Sequence, residues 1–386
     1  MATGSTVTPI GTSSSVAQKI WRPVLNHQAE RHWLSHLLIG TDEDSCIQLQ
    51  EEPSKQHGDT VQVRFSPTIE QPGFGEDDDI EGNEADLRFD FDEFKIGFHA
   101  IAFKQRNQMS QQRININIKK AALQKHPVLW KRYRERAIFA QLGGATYLNS
   151  AAGLANIQAI DAEYNQLSNW SDNRLTGMNA AVAFDSSHIV YAGAANTTAD
   201  AVRQDTTATM SLSLIDSLVE KAETRAALDY PIPPTNLGYW ILVISPEQKK
   251  QLRRATSSGD WADLHRALLE GGLPWDDSEF KRGAVGIYNN TLVVTSDYLP
   301  RGRDSADAPE ANTRVALFLG AKAGVIAYGQ GYTDGQHIDW TEQVSNYKVW
   351  GSSTDSVWGA KRLTFPNIAG TTQTYGAIGL VTYVGQ

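Results

Sequence analysis

The chain has 386 residues, of which 41% are hydrophobic and 20% charged, and its formal net charge is −9 at pH 7. This length can supply several domains, or one core with long excursions. The acidic balance argues against a sequence-independent grip on DNA or anionic lipid, although local basic stretches leave that role open. A single cysteine, Cys46, excludes an internal disulfide. Because the sequence shows no signal peptide and no membrane span, we expect a soluble protein made in a cytoplasm.

The N-terminal region combines a polar arm with an aromatic helix. Residues 1–14 are small and polar, which is typical of a flexible arm. In residues 15–40, apolar side chains recur at spacings of three or four, which predicts a helix with Trp21 and Trp33 on one stripe. Two tryptophans on one stripe require a partner surface.

Two stretches of alternating apolar and polar residues predict a long β-hairpin. The first covers residues 60–66 and the second covers residues 87–103. In the second stretch the apolar side chains change from odd to even positions at Asp92 and Glu93, which predicts a β-bulge there. Because a lone two-stranded ribbon is marginal in water, the hairpin needs a surface to lie on.

The segment between these two strands is strongly acidic. Six carboxylates lie within residues 76–84, including the consecutive Asp77, Asp78 and Asp79. The spacing resembles a calcium loop, but Arg88 stands where that loop needs a bidentate glutamate. A solvated hairpin tip is therefore favoured over a calcium site.

A long helical stretch follows the hairpin. The helical period covers residues 116–144, and Pro127 is predicted to open a second helix there as its first residue. Gly143 and Gly144 are predicted to end that helix. Its apolar stripe consists of Trp130, Tyr133, Ala137 and Ala140.

The middle of the chain carries weaker signals. Residues 145–210 show no clear pattern apart from a short predicted strand at 188–193. A predicted helix over residues 211–228 then runs into a proline-rich linker at 230–238. Such a linker is a candidate domain boundary.

The C-terminal part has clearer elements. A buried strand at residues 239–244 leads into a helix for which Ser245 is the predicted N-cap, Pro246 the first residue and Gln248 the capping-box partner. A second helix, capped by Asp260, is predicted over residues 259–272.

Further strands complete the predicted C-terminal part. A hairpin is predicted to turn at Asn289 and Asn290. Strand patterns continue over residues 314–329, and tryptophans and valines among polar residues from Ile338 onward predict more sheet.

Few residues point to catalysis or to a metal. The sequence has no phosphate-binding loop, no dinucleotide fingerprint and no motif for a serine nucleophile. Carboxylate pairs such as Asp276 and Asp277 carry no sign of desolvation. His32 and His36 stand four residues apart on a predicted helix, but a tryptophan occupies the place of a catalytic base, so a surface pair is favoured over a metal site.

Two basic runs lie on predicted helices, at residues 131–136 and 249–254. A solvated helix face is the favoured interpretation of both. Either run could instead line a surface that faces nucleic acid.

Several stretches together resemble the major capsid proteins of tailed bacteriophages with the Hong Kong 97-like fold, in the family typified by N4-like podoviruses. The resemblance covers residues 15–370. The stretches that carry it are residues 58–65, 77–89, 109–113, 238–254, 258–272 and 280–300.

The resemblance implies an α+β fold with an N-terminal arm, an extended β-hairpin loop, a spine helix, a peripheral domain and an axial domain. The implied ranges are the arm at 1–44, the extended loop at 45–107, the peripheral domain with its spine helix at 108–234, the axial domain at 235–330 and a C-terminal return to the peripheral domain at 331–386.

The resemblance also implies a function. Copies of the chain would form hexamers and pentamers that close into an icosahedral shell around phage double-stranded DNA. The implied partners are further copies, scaffold, portal and decoration proteins, and packaged DNA through non-specific contact. The chain would be a structural protein of the virion without enzymatic activity or cofactor, assembled in the host cytoplasm. The open alternatives are an encapsulin-like bacterial compartment and, more remotely, a hydrolase that uses carboxylates.

The residues expected to serve assembly lie on the arm helix and on the hairpin. The acidic tip has two candidate roles: it keeps a protruding tip soluble and its strand edges from wrong pairing, which we prefer, or it meets a basic patch on an adjacent subunit. The candidate assembly residues are Trp21, Trp33, Asp77, Asp78, Asp79, Glu81, Arg88, Phe89 and Phe91.

Overall fold

The structure is a computed structural model, and it describes most of the chain outside the N-terminal region. Three predicted features lie outside the described residues: the arm helix up to residue 37, the helix at 259–272 and most of the acidic tip. Residues 39–40, predicted as the end of the arm helix, form a short strand instead. The described ranges are 38–51, 58–65, 73–75, 81–82, 89–105, 118–144, 179, 181–224, 232–236, 238–255, 284–303, 310, 312–332, 338–345, 349–366 and 372–385.

The described residues form strands and helices in a mixed order. The helices are α1 (Ile118–Gly143), α2 (Ala199–Gln204), α3 (Leu212–Glu223) and α4 (Pro246–Ala255). The strands are β1 (Ile39–Gly40), β2 (Ile47–Gln50), β3 (Thr60–Phe65), β4 (Asp90–Lys95), β5 (Gly97–Gln105), β6 (Ile189–Tyr191), β7 (Trp240–Ile244), β8 (Ala284–Tyr288), β9 (Thr291–Thr295), β10 (Thr313–Leu319), β11 (Gly324–Tyr328), β12 (Asp339–Ser345), β13 (Val349–Arg362), β14 (Thr364–Pro366), β15 (Thr372–Thr374) and β16 (Ala377–Tyr383).

The first sheet is organised around the long strand β13. Its order is β1-β2-β11-β13-β12, and β5 also pairs with β13. The pairing between β5 and β13 is antiparallel and runs without a break from Trp350 to Trp358. Alternate residues of β13 are buried, as the period of two predicts for a strand with one face fully covered. Helix α1 covers that face, as its side-chain contacts with β13 show.

The second sheet has the order β6-β16-β10-β7-β9-β8 and is covered on both faces. Every residue of β7 is buried, which explains why its sequence is continuously apolar. Leu242 packs in a cluster with Ile215 of α3 and Leu252 of α4. Its neighbour Val243 packs in a different cluster, together with Phe139 of α1. The second sheet therefore has α3 and α4 on one face and α1 on the other.

Helix α1 continues through Pro127, so the predicted second helix beginning at Pro127 is wrong. A proline inside a helix has no N–H for the carbonyl of Leu123 and crowds that carbonyl, at a cost of about 3 kcal/mol. His126 and Trp130, on either side of the proline, both form hydrogen bonds with β13. This packing on the first sheet holds the helix in one piece and offsets the cost.

The predicted end of this helix is confirmed. Helix α1 ends at Gly143, and Gly144 adopts φ = +63° with its N–H bonded to the carbonyl of Gln141 at 3.3 Å. The guanidinium of Arg362 donates to the carbonyl of Leu142 at 3.1 Å. A cation at this place also complements the helix dipole.

The predicted apolar stripe of α1 is buried, but the solvated face predicted for residues 131–136 is wrong in its second half. Arg134, Glu135 and Arg136 are all buried, whereas Arg132 is exposed. From Tyr133 to its end, α1 lies between the two sheets, and every residue of the helix there is buried. Sequence periodicity cannot show a second covering layer, which is why the basic run predicted an exposed face.

The predicted start of α4 is confirmed in detail. The Ser245 N–H donates to the side chain of Gln248 at 2.8 Å, and the Gln248 N–H donates to Ser245 Oγ at 3.2 Å. This reciprocal pair is a capping box. The basic run on α4 keeps its predicted solvated face, since Arg253 and Arg254 are exposed.

The turn between β8 and β9 is also as predicted. Asn289 and Asn290 have φ values of 44° and 55°, the conformation that a two-residue turn of type I′ needs. Asn289 and Tyr288 each donate a hydrogen bond of 3.0 Å to Asp216 of α3. This fixes the end of the hairpin to the helix layer.

The predicted hairpin is present as the two-stranded ribbon of β3 and β4, but the predicted bulge at Asp92 and Glu93 is wrong. The two strands pair in one unbroken register. Phe91 and Phe94 lie on opposite faces of one regular strand, which produces the change from odd to even positions. The ladder is instead interrupted at Ile96, between β4 and β5.

The predicted boundary between the axial domain and the C-terminal return, at residue 330, does not coincide with a boundary between the sheets. Strand β11 lies before residue 330 but belongs to the first sheet, and β16 lies after it but belongs to the second. The domain ranges stay a prediction about the units of assembly.

Candidate assembly surface

The inner face of the ribbon lies on the body of the subunit. Val61 and Val63 of β3 and Phe94 of β4 are buried in one cluster with Leu363 and Phe365. The hairpin was expected to need a surface to lie on, and its inner face finds one on the body of its own subunit.

An acidic side chain also points to this inner side. Asp92 forms an ion pair with Lys361 of β13. It also accepts hydrogen bonds from the N–H and the hydroxyl of Thr364, at 3.0 and 3.2 Å. The pair is mostly buried, so it is screened less by salt than a surface ion pair.

The outer face of the ribbon presents aromatic side chains to solvent. Phe89 is 70% exposed and Phe91 is 58% exposed. Phe91 stands opposite Arg64 of β3, and the Gln62 side chain donates to Glu93 at 2.6 Å on the same face. We define Phe89 and Phe91 as the aromatic face. Large exposed aromatics beside polar groups are typical of a protein interaction site.

The predicted assembly residues are only partly described. Phe89 and Phe91 lie together on the aromatic face, and Glu81 is exposed near the tip. The others lie outside the described residues and stay predictions: Trp21, Trp33, Asp77, Asp78, Asp79 and Arg88.

Two residues of this region, Phe98 and Asp92, were not among the candidates predicted from the sequence. Phe98 of β5 is 58% exposed and pairs with Val357, on the face of the first sheet that points away from α1. Asp92 connects the ribbon to Lys361 and Thr364 of the subunit body. The sequence carried no signal for Asp92, because the alternation of Phe89 and Phe91 with acids would by itself place the phenylalanines, and not the acids, on the buried face.

Between α1 and the first sheet lies a polar ladder, in which helix residues spaced by four meet strand residues spaced by two. Four helical residues rise about 6 Å and two strand residues rise about 6.6 Å, so the two sets stay in step. The polar ladder consists of His126, Trp130 and Arg134 of α1 and Ser352, Thr354 and Ser356 of β13.

Each rung of this ladder is a hydrogen bond. Trp130 Nε1 donates to Thr354 Oγ1 at 2.6 Å, and the Arg134 guanidinium donates to Ser356 Oγ at 3.0 Å. The Arg134 guanidinium also lies 5.3 to 5.5 Å from the ring centres of Trp130, Tyr328 and Trp358. These aromatic faces stabilise a cation away from water.

The buried His126 gives the ladder a pH dependence. Its ring nitrogens lie 3.1 Å from Ser352 Oγ and 2.9 Å from Thr354 Oγ1. Burial lowers the pKa of His126 from 6.5 to about 4. As pH falls, the imidazole is protonated in the unfolded chain before it is protonated in the folded chain. The contribution of His126 to the free energy of unfolding is therefore fully present above pH 6.5 and is lost as pH falls toward about 4.

We therefore expect His126→Gln to flatten the dependence of subunit stability on pH. The difference in pKa corresponds to about 3 kcal/mol. Urea unfolding of the unassembled subunit at pH 7 and at pH 4.5 measures it: the wild type should lose more stability between these values than the variant. An equal loss in both would contradict the assignment.

A serine, a histidine and an aspartate cluster at the start of β6 without forming a catalytic relay. Ser187 Oγ lies 3.1 Å and Asp185 Oδ2 lies 2.8 Å from the same nitrogen, Nδ1 of His188. In a nucleophilic relay the serine and the carboxylate bond to different ring nitrogens. Asp185 also accepts the Thr374 N–H at 3.1 Å, so the cluster holds a turn.

The remaining candidate groups do not build a reactive site in the described part of the chain. Cys46 is buried, and burial raises the pKa of its thiol to about 12. The described residues contain no group of three or more His, Cys, Asp or Glu side chains that could hold a metal ion. Among the described helices, none has the length and apolar character needed to cross a membrane.

Comparison with solved structures identifies the fold. The capsid protein of Ralstonia phage GP4 superposes with a TM-score of 0.71 at 23% identity, with 92% of each chain covered. The capsid of cyanophage Pam1 gives a TM-score of 0.63 at 16% identity, covering 90% of this chain and 91% of that chain. The head of Helicobacter pylori bacteriophage KHP40 gives 0.57 at 14% identity, covering 92% and 91%. The predicted α+β, Hong Kong 97-like fold is confirmed.

The family follows from a match of the sequence. No curated protein matches the chain. The model of a family described as phage capsid protein matches residues 9–384, which is nearly the whole length. This match shows that the chain belongs to the phage capsid protein family, in agreement with the fold that it shares with phage capsid subunits.

Proposed function

We propose that the chain is the major head protein of a tailed phage, and that its copies form hexamers and pentamers that close into an icosahedral shell around double-stranded DNA. The aromatic face carries this proposal. Phe89 and Phe91 lie in water on a ribbon whose other face is already covered. A neighbouring copy that covers the aromatic face would remove this apolar surface from water. Burial of each phenylalanine would stabilise the contact by about 1.5–3 kcal/mol.

Weak contacts are sufficient for such a shell. Once one contact of a ring has formed, the next forms at high effective concentration, so no single interface needs to be large. The arm helix with Trp21 and Trp33 would supply a second contact. Scaffold, portal and decoration proteins, non-specific contact with DNA, and assembly in the host cytoplasm complete the proposal, in which the chain works without catalysis.

The decisive experiment is assembly of the full chain. Purified protein, alone or with a scaffold protein, should sediment as megadalton particles that electron microscopy shows as closed shells. A chain that remains monomeric under all these conditions would contradict the proposal. Particles isolated from a bacterial host should contain nuclease-protected DNA, whereas protein cargo without DNA would indicate the encapsulin-like compartment. The family match favours the phage head over that compartment.

The acidic tip provides a separate prediction. Replacing Asp77, Asp78 and Asp79 together by Ala should leave the subunit folded but convert part of the closed particles into aggregates, because the tip loses the charges that prevent wrong pairing. Gel filtration and electron microscopy measure the two fractions. A matched removal of exposed acids, Glu220→Ala with Glu223→Ala on α3, should leave the particle fraction unchanged.

Two outcomes of this experiment separate the roles of the tip. Loss of the soluble subunit itself would contradict the expected independence of folding from the tip. If the tip instead binds a basic patch on a neighbour, wild-type assembly should weaken as salt rises, and the triple variant should lose that salt dependence.

A further inference from the structure

The root of the ribbon, residues 92–96, is bonded to several separate parts of the subunit. The side chain of Asn179, which is almost completely buried, accepts the Lys95 N–H and donates to the Lys95 carbonyl, both at 2.8 Å. An amide that pairs with both backbone groups of one residue takes the place of a strand neighbour. Gln141 of α1 donates to the Asn179 carbonyl at 2.8 Å. Asn179 thus connects the ribbon to the end of α1.

The first sheet holds the root from another side. Lys361 of β13 binds the Asp92 carboxylate and also donates to the Glu93 carbonyl at 3.1 Å. The backbone of Gly359, also on β13, lies against the backbone of Lys95. A Cβ atom at position 359 would be only 2.2 Å from the Lys95 carbonyl oxygen. Only glycine allows the two backbones to approach in this way.

We propose that this root sets the direction of the ribbon in the free subunit, before a neighbour binds, and that Asn179 is a positioning residue for assembly. This inference rests on the proposed function, since the direction of the aromatic face matters only if another copy covers it. Each strand of the ribbon has six residues and spans about 20 Å. Phe91 and Phe89 lie four and six residues from Lys95, about 13 and 20 Å along the chain. A rotation of about 10° at Lys95 would therefore displace them by about 2 and 3 Å against a fixed partner surface.

The test compares Asn179→Ala with the wild type in the full chain. Below the concentration at which particles form, hydrogen–deuterium exchange of β3 and β4 should accelerate about tenfold, because two hydrogen bonds at the root are lost. Exchange of β7 and β10 should stay unchanged. At higher concentration, electron microscopy should show particles of mixed diameter and open sheets in place of uniform shells.

A matched asparagine provides the control. Asn196 donates hydrogen bonds to the Ala192 carbonyl and to Asp205, far along the chain from the ribbon. Asn196→Ala should leave both ribbon exchange and particle shape unchanged. If Asn179→Ala fails to fold, Lys361→Gln loosens the same root through Asp92 and should give the same two effects.

The outcomes separate this inference from the proposed function. A wild-type chain that never forms shells would contradict the proposed function itself. Wild-type shells together with unchanged ribbon exchange in the Asn179 and Lys361 variants would overturn the inference alone. Faster ribbon exchange with unchanged, uniform particles would also overturn it, since the direction of the ribbon would then not depend on the root.

Discussion

A chain carrying Phe89→Thr and Phe91→Thr should fold normally but fail to form shells at concentrations that suffice for the wild type. Both side chains are largely exposed in the subunit, so their loss should change its stability by less than about 1 kcal/mol. Threonine also keeps a high preference for strand structure. Two phenylalanines contribute about 3 kcal/mol to each contact between copies, so the subunit concentration needed for assembly should rise about a hundredfold.

Sedimentation velocity over a concentration series measures this shift, and circular dichroism checks the fold. The matched control is Phe89→Leu with Phe91→Leu, which keeps the aromatic face apolar and should still assemble. Wild-type assembly behaviour in the threonine variant would show that the aromatic face lies outside every contact between copies.

Replacement of Trp358 by Ala should lower the free energy of unfolding of the subunit by about 3–5 kcal/mol, more than any other substitution proposed for this chain. Its side chain is fully buried, and its ring centre lies 5.5 Å from that of His99 and 5.9 Å from that of Tyr133. It also forms one wall around the Arg134 cation. Removing the ring leaves a cavity between α1 and the first sheet and exposes a buried cation to an empty space.

Urea unfolding of the unassembled subunit measures this loss as a lower midpoint with little change in slope. Phe98→Ala is the matched control, because it removes an aromatic side chain that belongs to the same sheet but is 58% exposed, on the face that points away from α1. That variant should lose about 1 kcal/mol or less. Equal losses in the two variants would contradict the structural role assigned to Trp358.

Local features of the fold were predictable where neighbouring residues carry the signal. The capping box of Ser245 and Gln248 and the turn at Asn289 and Asn290 are recognisable because short-range chemistry determines them. The strand β7 was recognisable as an uninterrupted apolar run. In the candidate site, the same local reasoning placed Phe89 and Phe91 on a hairpin.

Features that depend on distant residues were predicted wrongly or missed. Pro127 remains inside α1 because the residues before and after it, His126 and Trp130, both bond to the first sheet. Arg134 is buried because a second sheet covers the other side of the helix. Asn179 lies in a stretch without a recognisable pattern, yet its side chain binds Lys95 from 84 residues away in the chain. No periodicity along the chain reports such a contact.

The amino-acid order alone thus specifies the two strands of the ribbon, β7, the capping box of α4 and the turn at Asn289 and Asn290, since each follows from residues a few positions apart. Tertiary packing alone decides that α1 is continuous, that its basic run is buried, and that one face of the ribbon is covered while Phe89 and Phe91 stay in water. The physical reason is burial: whether a side chain leaves water depends on which distant surface covers it, and only the folded chain brings that surface into place.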